Sequence, residues 1–162
     1  MAARLTNPTL ATRGDLGTVY TEAIVPVGSV SPGIDASGNY AEYVFLKGVA
    51  SLVVGSWVTY DEAGVTALLA ANAVGPVAVA TALTDASTKF GWFQIRGQAS
   101  ARLAANCADN AFLGRETADG DAGDGAAAGD VMYGAVSRQS TAGAAAVGTV
   151  QILYPSVNDK SA

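Results

Sequence analysis

The most conspicuous chemical segment runs Arg115-Glu116-Thr117-Ala118-Asp119-Gly120-Asp121-Ala122-Gly123-Asp124-Gly125. Carboxylates at alternating positions around a Gly-rich turn suit a hard cation such as calcium. The spacing departs from the helix–loop–helix calcium pattern in specific places. The third carboxylate falls one residue late, Asp124 stands where the turn requires Gly, and Asp130 stands where a bidentate Glu belongs. The segment therefore reads as a solvated surface loop built of turn formers, and no metal is expected.

Other routes to chemistry close quickly. The chain has no histidine, which removes the commonest general base and metal ligand. Its single cysteine, Cys107, cannot form an internal disulfide, and its neighbours Asn106 and Ala108 offer nothing to activate a thiolate. No G-x-x-x-x-G-K-[ST] or helix-opening G-x-G-x-x-G occurs, so the glycines read as turn residues and no cofactor is expected. Glu22, Asp85 and Glu116, with Tyr20, Arg96 and Arg102, supply acid/base side chains, yet no spacing brings two carboxylates together. Tyr60, Phe90 and Trp92 read as core or interface rather than a sugar platform. The pattern points away from an enzyme.

Arg96 and Arg102 read instead as outward residues of neighbouring strands, able to pair with a partner's acids at an interface. Arg4 and Arg13 give the N-terminal arm local positive charge on a chain of net charge −5 and pI near 4.4, and are read with Arg96 and Arg102 as partner-binding residues. That acidity argues against nucleic acid as partner, because phosphate neutralisation needs clustered Lys and Arg. No stretch approaches the ~20 apolar residues of a membrane helix, and the N-terminus lacks the apolar core of a secretory signal.

These residues must be positioned by a chain of 162 residues that is 50% hydrophobic and 14% charged, against about 25% charged in an average globular protein. Ala and Gly supply nearly a third of it, so its core is built largely from small side chains. Residues 1–17 read as an extended arm, 18–155 as a single β domain, and 156–162 as a flexible tail. A strand is expected at 18–25, followed by a loop holding Ser31-Pro32-Gly33 and Ser37-Gly38-Asn39. Alternation from Tyr40 to Lys47 gives a strand. Runs at 57–60 and 65–69 flank Asp61-Glu62-Ala63-Gly64 as a hairpin, preferred over a helix across 61–73. Further strands fit 77–83, 89–97, 98–104, 131–136 and 146–153, with a bulge or bend at Gly97. Short strands with frequent turns describe an all-β fold, a compact sandwich or small barrel of antiparallel strands.

Four stretches carry a likeness. They are Val74-Gly75-Pro76-Val77-Ala78-Val79-Ala80, Phe90-Gly91-Trp92-Phe93-Gln94-Ile95-Arg96-Gly97, Ala126-Ala127-Ala128-Gly129-Asp130-Val131-Met132-Tyr133 and Val147-Gly148-Thr149-Val150-Gln151-Ile152-Leu153. Together, over residues 40–155, the chain resembles the capsid decoration (cement) proteins of tailed bacteriophages. The resemblance implies a structural virion protein on the outer surface of the capsid. Its partners would be the phage major capsid protein and itself, as a homo-trimer or dimer at local three-fold or two-fold axes. It also implies that the arm adds a strand to a shell or neighbouring-subunit edge. The arm's length and the acidic Asp119–Asp130 loop depart from that style. The rival readings are a tail or receptor-binding β module and, remotely, a small enzyme of another β fold.

Overall fold

The computed structural model describes residues 3–6, 15–116, 118–125 and 131–158. Arg13, most of the expected arm, the end of the acidic loop and the last four residues lie outside them. The described residues form eleven strands and no helix, so the all-β expectation holds. The strands are β1 (Arg4–Leu5), β2 (Val30–Ile34), β3 (Tyr40–Lys47), β4 (Trp57–Tyr60), β5 (Thr66–Leu68) and β6 (Gly75–Ala80). After them come β7 (Phe90–Leu103), β8 (Phe112–Arg115), β9 (Ala122–Gly123), β10 (Val131–Ser137) and β11 (Ala146–Val157). All belong to one sheet in the order β1-β2-β3-β7-β9-β8-β10-β11-β6-β4-β5, with β7 also paired to β6 and β11.

β7 is the spine. The runs expected as two strands, 89–97 and 98–104, are one strand of 14 residues that changes partner midway. Phe90 to Arg96 pair with β3, whereas Arg96 to Leu103 pair with β11. Gly97 stands at this handover with φ +101°, and a Cβ there would come 2.9 Å from the Tyr40 carbonyl oxygen. Only glycine takes that backbone shape without strain, so the bend expected at Gly97 has a steric cause. The extra residue of the associated register shift is Ile95, between the pairs Glu42↔Arg96 and Tyr43↔Gln94. Gln94 spans the irregularity, donating from Nε2 to the Arg96 and Gln98 carbonyls at 3.0 and 3.1 Å.

From β7 the pairings close a circuit, β7–β9–β8–β10–β11 and back to β7, with a single parallel link between Leu103 and Ala122. Inward residues of the circuit, Ala101, Leu103, Leu113, Ala122, Met132, Ala135, Val150 and Ile152, are all buried in one cluster. So tight a closure needs small residues. A Cβ on Gly148 would stand 2.7 Å from Leu103 Cδ1, and the Ala-rich composition thereby finds its structural use. On the other side, both faces of β3 and the first half of β7 are covered. Val44, Leu46, Phe93 and Ile95 face one cluster, while Ala41, Tyr43, Phe45 and Trp92 face a second, aromatic one. Phe45 meets Trp92 edge-on at 5.2 Å and stacks with Phe90 at 6.1 Å. Trp92 is thus core, and no sugar platform.

Three expectations need correction. Residues 18–25 form no strand: Tyr20 makes one bridge to Phe90, and Tyr20, Ile24 and Val25 then turn to pack on the aromatic cluster. The expected loop around Ser31-Pro32-Gly33 is β2, placed between β1 and β3. Pro32 is tolerated there near the sheet margin, where its carbonyl accepts the Thr6 N–H. Gly33 is required there, since a Cβ would lie 2.5 Å from the Arg4 carbonyl oxygen and 2.7 Å from Tyr43 Cε2. The domain also overruns its expected ends. Leu5 and Leu16 are buried in the aromatic cluster, and Val157, buried at the close of β11, belongs to the circuit core.

Candidate interaction site

Paired residues of antiparallel strands project to one face, so register alone assembles the outer surface. One row crosses β3, β7 and β11 as Glu42–Arg96–Leu153, and the next crosses β7, β11, β10 and β8 as Gln98–Gln151–Val136–Phe112. Arg96 Nη1 donates to Glu42 Oε1 at 3.2 Å. Its guanidinium lies 5.0 Å from the Tyr40 ring centre and 5.9 Å from that of Tyr154, within cation–π range. The hydroxyls of both tyrosines donate to Glu42, Tyr40 to Oε1 at 2.8 Å and Tyr154 to Oε2 at 2.5 Å.

Burial pushes the Glu42 carboxyl up, but the hydrogen bonds from Tyr154, Tyr40 and Arg96 together outweigh it and hold it below its ordinary value. The same bonds to Glu42 raise both tyrosine hydroxyls. A carboxylate that accepts from three donors is held as an anion in a fixed orientation, and in turn orients Arg96.

Tyr154 reaches this cluster through unusual backbone. Its φ is +47°, in the left-handed region that non-glycine residues seldom enter. The cause lies across the ladder. Between Tyr133↔Ser156 and Ala135↔Ile152 the β10–β11 register slips, and Gly134, at φ +73°, fills the gap where a Cβ would collide with the Leu153 carbonyl. The bulge re-aims Tyr154 toward Glu42. Strain of this kind is held in place where surrounding structure over-determines it, and such places are often functional.

Beside the cluster lies a cleft of about 730 Å³ lined by residues that include Asn39, Tyr40, Gln98, Arg138, Gln151 and Leu153. Arg138 is held by Gln151 Oε1, through Nε at 3.1 Å and Nη2 at 2.6 Å, and by Asn110 Oδ1. Around it the sheet exposes large apolar side chains on adjoining strands: Phe112 is 77% exposed, Tyr133 61% and Leu153 57%.

The expected site residues divide. Arg96 belongs to this surface. Arg102 is engaged within the chain: Nε donates to Asp121 Oδ1 at 2.5 Å and Nη2 to Oδ2 at 3.2 Å, a two-pronged grip on a carboxylate only 2% exposed. The two arginines lie on one strand, not on neighbouring ones. Arg4 is exposed on β1, and Arg13 lies outside the described residues. Sequence reasoning missed Tyr40, Glu42, Arg138, Gln151 and Tyr154. Alternation sets Tyr40 and Glu42 on one side of a strand, but only long-range register brings Arg96 and Tyr154 to them.

The acidic loop is occupied by the protein itself. Asp121 holds Arg102, Asp119 pairs with Arg115 at 3.7 Å, Asp124 accepts the Ala108 N–H, and Glu116 accepts the Gly125 N–H. Among the described residues no cluster of three or more acids, histidines or cysteines could hold a metal ion. Asp85 pairs with Lys89, and Glu22 is exposed. Cys107 is buried, and that burial, with Asp124 nearby, pushes its thiol up, away from the reactive thiolate. No family model, curated protein or solved structure matches this chain.

Proposed function

We propose that this chain is a capsid decoration protein that binds the outer face of a tailed-phage capsid lattice as a symmetric oligomer and stabilises the shell. The observation that carries the reading is the outer face of β3, β7, β11, β10 and β8. It sets exposed Phe112, Tyr133, Leu153 and Tyr154 beside Arg96 and Arg138. Tyr, Phe and Arg on a surface otherwise poor in charge are the residue types that anchor protein–protein contacts. A rigid face of this kind suits a protein whose task is to add contact area at joints between subunits, where many modest contacts act together. The loading of Glu42 by three donors, and the occupation of each acid of the Asp119–Asp124 loop, favour binding over bond-making chemistry.

Co-sedimentation with purified undecorated shells tests the reading. The parent protein should pellet with shells to a saturating stoichiometry, and the Phe112→Asp/Leu153→Asp double variant should lose at least about tenfold in affinity. Equal binding by parent and variant would contradict the assignment of this face, and no binding by the parent would contradict the decoration role.

A further inference from the structure

The donors and acceptors of the cleft are unequally used. Its acceptors are engaged from within. Asp35, buried at its wall, takes the Ser37 and Asn39 N–H groups at 2.9 Å each and the Gln98 N–H at 3.1 Å. Gln151 Oε1 takes two bonds from Arg138, and Gln98 Oε1 takes one from Ser37 Oγ at 2.6 Å. These bonds turn both amide nitrogens the other way, and among the described residues neither Nε2 donates to a partner.

The charges are unequal in the same sense. Arg96, Arg102 and Arg115 each face a carboxylate. Arg138 faces only the neutral carbonyls of Gln151 and Asn110, and among the described residues it forms no ion pair. A guanidinium carries five N–H donors, so those bonds hold its plane while leaving donors over. Asp35 is buried with both oxygens taken by backbone N–H groups. The open end of the cleft therefore presents Arg138 with no carboxylate of the described residues at ion-pair distance, and favours an anionic, acceptor-rich occupant there.

We infer that this cleft docks an acidic peptide segment of a partner protein, with a carboxylate meeting Arg138 and the amide nitrogens of Gln98 and Gln151. A peptide fits better than an acidic sugar. A sugar needs an open aromatic face, and the Tyr40 ring is already covered by the Arg96 guanidinium at 5.0 Å. Exposed Leu153 lines the same cleft and offers the apolar contact that a side chain next to the carboxylate would use. The inference rests on the binding-protein reading and names the partner chemistry of that same face.

The probe is a fluorescein-labelled hexaglutamate peptide, titrated at low salt into the full-length ¹⁵N-labelled protein. Hexaglutamine and an oligogalacturonate are run alongside. Hexaglutamate should bind, weaken as salt rises, and shift the backbone amides of Gln98, Arg138 and Gln151, while hexaglutamine binds at least tenfold more weakly. R138Q should lose about tenfold in affinity. R138K should fall between the two, because a point charge replaces the planar fork. K47Q, at the end of β3 far from Tyr40, should match the parent, and the melting midpoint of R138Q should stay at the parent's value.

Absence of hexaglutamate binding, undiminished binding by R138Q, or amide shifts confined to other surfaces would overturn the inference. So would oligogalacturonate binding more tightly than the peptide, which would make the cleft a sugar site. Shell binding by the parent protein is read separately. Its failure with peptide recognition intact would overturn the decoration role and leave this inference standing.

Discussion

Arg96 and Arg102 lie six residues apart on one strand, yet they have opposite fates. Arg102 grips a carboxylate that is 2% exposed and ties the acidic loop to the β7–β11 circuit. Arg96 meets Glu42 through one nitrogen, lies between two exposed tyrosine rings and stays on an open face. Their arginine types and their alternation are the same. The depth of the acid partner decides which becomes a structural tie and which remains surface, and that depth is set by a distant segment. By the same measure Arg138, whose partners are the neutral carbonyls of Gln151 and Asn110, forms no ion pair among the described residues.

Breaking the tie should have the largest effect. Arg102→Ala strands the Asp121 carboxylate in the interior and should cost about 3 kcal/mol in a urea titration, at the low end for a broken buried pair because Arg102 is one-third exposed. Next comes the handover between the two regions. Gly97→Val forces a β-branched side chain to φ +101° against the Tyr40 carbonyl, and should cost about 2 kcal/mol by the same titration.

The Glu42 cluster should matter less and should show itself through pH. A carboxyl held below its ordinary value of 4.5 stabilises the folded state above that value, and the contribution is lost as pH falls through the lowered one. Thermal melts of Glu42→Gln and the parent should therefore differ most near neutrality and converge as pH drops below 4.5. A constant gap at all pH values would remove Glu42 from the account.

Leu153→Asp alone should move stability least, within about 0.5 kcal/mol, because the side chain is exposed. It should nonetheless weaken shell binding, which separates the two regions cleanly: large stability effects at Arg102, binding effects at Leu153.

Much of the architecture could be read from the chain because strand periodicity is local. Tyr40–Lys47, the hairpin of β4 and β5, and the strands at Val131 and Ala146 all follow from alternation bounded by turn residues. β2 escaped because Ser31-Pro32-Gly33 has the composition of a turn, and only contact with Arg4 and Tyr43 explains the glycine. β8 and β9 escaped because they are short, and β9 is an Ala-Gly pair. The interaction surface was half visible. Arg96 projects outward by alternation, whereas Tyr154 joins it only through a bulge that Gly134 permits on another strand. The acidic loop reads as solvated, yet Asp121 within it is buried and holds Arg102, while Asp124 and Glu116 accept backbone N–H groups that composition alone does not place beside them.

The most direct test is the copy number of this protein in purified virus particles of its source, by quantitative mass spectrometry. The decoration role predicts abundance comparable to that of the major shell protein, in a fixed ratio set by the lattice. A few copies per particle, as for a tail or spike component, or absence from particles, would contradict it.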